Sequence, residues 1–235
     1  LTRIGRIVTV IARSPAPVLF LDSCVLLDVV RAPLRDKPGE VRVAGRLLTA
    51  VRKSPKAAHL LIASPTPTEW NDHVGEAEVD CATAVRAYNA VASVCGHLGH
   101  GGVAFLPSLG ASLPGQLRQL SADLLGAAGL IDHNAAALGR AADRIIAATP
   151  PAKPGGKGAK DSIILEHVVE TTASLRQAGF TAACVFVSSN TKDFAASAGT
   201  TLSPALAPVF HPVQLQYAAS LEHAEAILLA AGWVP

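Results

Sequence analysis

Pro17-Val18-Leu19-Phe20-Leu21-Asp22 decides the fold: a short, uniformly apolar run that ends on an acid. A run of this length without polar alternation suits a strand buried on both faces, as in a parallel sheet covered by helices. Two further stretches share the pattern. Leu60-Leu61-Ile62-Ala63 stops at Ser64-Pro65-Thr66-Pro67-Thr68, and Ala183-Cys184-Val185-Phe186-Val187 leads into Ser188-Ser189-Asn190-Thr191-Lys192-Asp193. Residues 103–106 have the composition of a shorter strand.

Helical patterns fill the intervals. Residues 23–30 read as a helix halted by Pro33, and 42–53 place Val43, Leu47, Leu48 and Val51 on one stripe. Glu69 opens a helical stretch, and a further one runs from Glu76 to about Gly96. Residues 117–125 and 135–148 read as two more. Asp161 opens a helix with Ile164, Leu165, Val168, Val169 and Leu175 inward and Gly179 as its stop. Residues 214–231 form a last amphipathic helix ended by Gly232. Strands alternating with helices give an α/β fold, a three-layer α/β/α sandwich around a mostly parallel sheet.

Ligands of such sheets bind beyond the carboxyl ends of the strands. Asp22 stands at the end of the first strand, Glu69 shortly after the second and Asp193 just after the third. Asp161 follows a Gly-rich loop that can bring it to the same edge. Singly, each acid has a local explanation: Asp22 and Asp161 as helix caps, Asp193 as a turn former. Together they repel, and a hard divalent cation resolves the repulsion. Oxygen ligands of this kind favour Mg²⁺ or Mn²⁺, and such a site can activate water for phosphodiester hydrolysis.

The ordered set resembles the PIN-domain nucleases over roughly residues 17–212. Leu19-Phe20-Leu21-Asp22-Ser23-Cys24 looks like the family's opening strand, acid and small hydroxyl residue. Thr68-Glu69-Trp70 is similar to its second acidic motif, and Lys160-Asp161-Ser162-Ile163-Ile164 to its third in a bacterial subgroup. Phe186-Val187-Ser188-Ser189-Asn190-Thr191-Lys192-Asp193-Phe194 resembles the last.

The resemblance implies a metal-dependent endoribonuclease that hydrolyses RNA phosphodiester bonds. Asp22, Glu69, Asp161 and Asp193 would be catalytic and hold Mg²⁺ or Mn²⁺. Ser23 and Asn190 would orient the acids or a water, and Lys192 would reach a phosphate. It admits a toxin restrained by an antitoxin; the rival is a PIN-like scaffold that binds RNA or a protein without cutting, against which the presence of all four acids counts. About ninety residues separate Glu69 from Asp161, more than a minimal PIN domain holds. A single domain is therefore expected, with core segments at 17–72 and 155–212 and a helical insertion at 75–150. That insertion is open to three readings: a lid, a homodimer surface or an RNA-selecting wall.

Composition narrows the setting. The chain has 235 residues, half of them apolar and 16% charged, which is ample for a core and unlike a disordered protein. The net charge of +2 hides an asymmetry: residues 1–56 hold eleven Lys/Arg and four Asp/Glu, the remainder nine and fourteen. A basic first quarter suits a polyanion partner, with Arg42 and Arg46 as its guides; solvated helix surface is the plainer reading. Lys153, Lys157 and Lys160, in the loop Pro150-Pro151-Ala152-Lys153-Pro154-Gly155-Gly156-Lys157-Gly158-Ala159-Lys160, are further candidates for RNA backbone contact near the site, with solvated loop charge as the plainer reading.

Cys24, Cys81, Cys95 and Cys184 form no C-x-x-C pair, so a reducing, cytoplasmic location is expected. The six-residue apolar run between Arg6 and Arg13 is too short to span a membrane. Other motifs fall short. A D-x-D-G-T phosphatase would need its nucleophile at Phe20, the glycine loop lacks phosphate-loop spacing, and His97 with His100 lacks further zinc ligands. No serine sits in a nucleophile elbow.

Overall fold

The computed structural model describes residues 3–99, 107–197 and 199–235. In chain order the elements are α1 (Arg3–Ile11), β1 (Val18–Leu21), α2 (Ser23–Val30), α3 (Ala32–Arg35), α4 (Pro38–Arg52), β2 (His59–Ala63), α5 (Pro65–His97) and α6 (Pro107–Ala127). There follow β3 (Gly129–Ile131), α7 (Ala135–Ile146), α8 (Ala159–Gln177), β4 (Cys184–Val187), α9 (Thr191–Phe194), α10 (Ala207–Phe210), β5 (Leu215–Ala218) and α11 (Leu221–Ala230).

Among the described residues the five strands are all parallel, in the order β3-β2-β1-β4-β5. The chain therefore builds outward from β1 in one direction, then returns to add β4 and β5 on the other side. That reversal opens a crevice beyond the carboxyl ends of β1 and β4, where doubly wound sheets bind ligands. Asp22 and Ser188 are the first residues past those two ends.

Period-two alternation along the strands supplies two cores, one on each face. Leu19, Leu21, Leu60, Ile62, Val185 and Val187 pack under α2, α4 and α11. Val18, Phe20, Leu61, Cys184, Phe186 and Leu215 pack under α1 and α8. Phe186 stands edge-on to Phe194 with ring centroids 5.0 Å apart, both rings fully buried. Truncating Phe186 to Ala would cost about 3–5 kcal/mol.

Several elements differ from the sequence reading. Residues 65–97 form one 33-residue helix rather than two, and Glu69 lies in its second turn instead of opening it. Asp161 is the third residue of α8, whose N-cap is Gly158. Residues 214–231 are not one helix: Leu215–Ala218 is an edge strand, and α11 starts only after Ser220 caps it. Gly179 and Gly232 do follow their helices, each with φ of +83°. The expected strand at 103–106 and His100 lie outside the described residues.

The 75–150 segment is more than added helices. It contributes β3, whose Gly129 lies so close to β2 that a Cβ there would sit 2.9 Å from Leu61. α6 is built into the core as well: Trp70 Nε1 donates to Ser121 Oγ at 2.8 Å, and Ser121 Oγ to the Leu26 carbonyl at 2.7 Å. Among the described residues no helix is long and apolar enough to cross a membrane. All four cysteines are free.

Candidate functional site

Asp22 is fixed by the end of β1 and the start of α2. Its backbone N–H donates to the Val187 carbonyl at 3.1 Å, continuing the β1–β4 ladder by one residue. Its extended backbone lets the side chain cap α2, Oδ1 accepting from Ser23 N at 2.7 Å. Oδ2 accepts from Ser188 Oγ at 2.7 Å and from the Cys24 thiol at 3.1 Å. The carboxylate is 3% exposed, so these donors stand in for water.

Glu69 reaches the same place from α5. Ser23 Oγ lies 2.8 Å from Glu69 Oε2 and 3.4 Å from Asp22 Oδ1, so its one proton goes to the glutamate. Asp161 and Asp193 meet through Asn190, whose Nδ2 donates to Asp193 Oδ2 at 2.9 Å and to Asp161 Oδ1 at 3.3 Å. Ser23 and Asn190 thus hold the acids in pairs. Two ammonium groups complete the cluster: Lys153 pairs with Asp193 Oδ1, and Lys160 Nζ lies 3.4 Å from Glu69 Oε1.

The acids feel one another. Burial raises the Asp161 carboxyl from 3.8 to about 6, with the charges of Asp22, Asp193 and Glu69 adding to the rise against the Asn190 hydrogen bond. Burial also raises Asp22, opposed by Ser188 and Cys24 and reinforced by Glu69. The Cys24 thiol is pushed well up by burial and by Asp22, which keeps it a neutral S–H donor and a poor nucleophile.

An all-oxygen donor set under like-charge strain suits a hard divalent cation; among the described residues Asp193 Oδ1 is buried without a hydrogen-bond donor and is paired with the Lys153 ammonium. As the side chains stand, no three of His, Cys, Asp or Glu among the described residues converge tightly enough to hold an ion. The acids are gathered, and their cationic partners are lysines.

Other candidates fall elsewhere. Arg42 Nη1 and Arg46 Nη1 lie 2.9 and 2.8 Å from the two carboxylate oxygens of Glu225 on α11. Arg31, Arg35 and Arg52 are likewise taken by Asp80, Asp28 and Asp123. Lys157 and Lys192 are exposed and make no ion pair among the described residues. The partners missed in sequence are Ser188 and Cys24; Lys153, expected near the site with Lys157 and Lys160, pairs with Asp193. Ser188 is the first residue past β4, as Asp22 is past β1, and that equivalence was the available signal. The hydroxyl of Tyr217 secures Ser188 by donating to its carbonyl at 2.8 Å.

No protein-family model, curated protein or solved structure matches this chain significantly, so fold and geometry carry the functional argument.

Proposed function

We propose that the protein is a metal-dependent endoribonuclease with Asp22, Glu69, Asp161 and Asp193 as its acidic centre. One observation carries the reading: acids from four separate chain segments face the crevice of a doubly wound sheet, Ser23 lying between Asp22 and Glu69 and Asn190 donating to both Asp161 and Asp193. Mg²⁺ or Mn²⁺ held there would supply the positive charge that acidifies a water and offsets charge building on the phosphate. The chain's own part is positional. Ser188 and Ser23 fix the Asp22 and Glu69 carboxylates, and Asn190 spans Asp161 and Asp193. Lys157, just before the Gly158 N-cap of α8, and Lys160, in its first turn, are the cations best placed for RNA phosphates, and Lys192 follows Asn190 on the β4 side.

The test is purified protein with RNA and Mn²⁺. Cleavage abolished by EDTA and by Asp22→Asn supports the enzyme, and a parallel assay on single-stranded DNA defines the substrate. The second reading is a PIN-like scaffold that binds RNA or a protein partner, an antitoxin included, without cutting. The lysines seated on Glu69 and Asp193 favour it, because they neutralise the acids without any metal. Binding without cleavage in the same assay supports the scaffold.

A further inference from the structure

We infer that Lys153 and Lys160 are the resident counter-cations of the acid cluster, displaced from it when a divalent cation binds. The inference rests on the metal-site reading above and adds how the metal-free site is kept together. Side-chain exposure is 50% for Lys153 against 14% for Asp193, and 59% for Lys160 against 18% for Glu69. The carboxylates are enclosed while the ammonium arms lie in solvent. An ammonium that lies in solvent gains little from such a pair, so a divalent cation can replace it at small cost.

The backbone beneath Lys153 is fixed. Lys153 N donates to the Lys157 carbonyl at 2.8 Å, closing a small antiparallel bridge. Arg144 Nη1 donates to the Pro150 carbonyl at 2.6 Å, and Pro151 and Ala152 are buried. Gly158 closes the strap with φ of +77° where a Cβ would lie 2.5 Å from the Pro151 carbonyl oxygen. A fixed backbone carrying a flexible point charge delivers the ammonium to Asp193 yet lets it leave.

Lys160 is set up differently. It occupies the first turn of α8, where the helix dipole disfavours a cation, and Glu69 compensates. With Glu69 engaged by a bound metal, the Lys160 ammonium would lose that compensation and be free to pair with the next available anion, a phosphate of the bound RNA. The same two lysines would therefore serve the acids first and the substrate afterwards.

Calorimetric titration of the full chain with Mn²⁺ alone tests this without any activity measurement. Lys153→Met should bind Mn²⁺ about fivefold more tightly than the wild type. Lys157→Met removes the same charge from the same strap but touches no acid, and should shift affinity by less than about twofold. Equal shifts in both variants, or unchanged or weaker binding by Lys153→Met, would overturn the inference and leave the metal-site reading standing. Absence of Mn²⁺ binding in the wild type and both variants, with thermal melts showing intact folds, would overturn both.

Discussion

Ser188 Oγ donates to Asp22 Oδ2 at 2.7 Å, tying the first residue after β4 to the first residue after β1. Neither side chain is accessible to bulk water, and Ser188 is itself held by Tyr217. A hydrogen bond to a buried carboxylate contributes about 1.5–3 kcal/mol. Ser188→Ala should lower unfolding free energy in urea by that amount. A loss below about 0.5 kcal/mol would mean that Cys24 and Ser23 suffice to hold Asp22.

Asp161 makes stability fall as pH rises. Its folded pKa of about 6 exceeds the unfolded 3.8, so the native state binds the proton more tightly. Below the unfolded value the group is protonated in both states and contributes no difference. Between the two values stability declines, and above about 6 the penalty reaches about 3 kcal/mol. In EDTA, Asp161→Asn should therefore be the more stable protein at about pH 7.5 and equal to wild type at about pH 3.5. Urea denaturation at both pH values decides it; a less stable Asn variant at the higher pH would contradict the picture of a buried carboxylate among like charges.

The arginines and the lysines should separate in their effects on RNA. Glu225 is 6% exposed at its side chain; burial opposes its charge, and Arg46 and Arg42 hold its carboxyl below the usual range. Replacing both arginines by Ala should cost about 1–3 kcal/mol of stability and leave the salt slope of RNA binding nearly unchanged. Replacing Lys157 and Lys160 should instead reduce the slope by roughly one unit each. A slope change in the arginine variant would restore Arg42 and Arg46 as guides of the polyanion.

The legible parts of the fold were those with their own composition. β1, β2 and β4 are continuous apolar runs because both their faces are covered, and Asp22, Glu69, Asp161 and Asp193 could be ordered from them. β3 was invisible because Gly129-Leu130-Ile131 is three residues on a sheet edge, selected by the close approach of Leu61. β5 was absorbed into a helical stripe because Leu215-Gln216-Tyr217-Ala218 is too short for its alternation to compete. Within the site, the acids could be read from strand ends. The lysines could not: pairing Lys153 with Asp193 depends on how a glycine-rich strap folds back, which no periodicity encodes.

The most direct test of the account is an anomalous difference map from crystals soaked in Mn²⁺. The account expects a peak between Asp22, Glu69, Asp161 and Asp193, with the Lys153 ammonium withdrawn from Asp193. A map without a peak there, with both lysines still seated on their carboxylates, would contradict it.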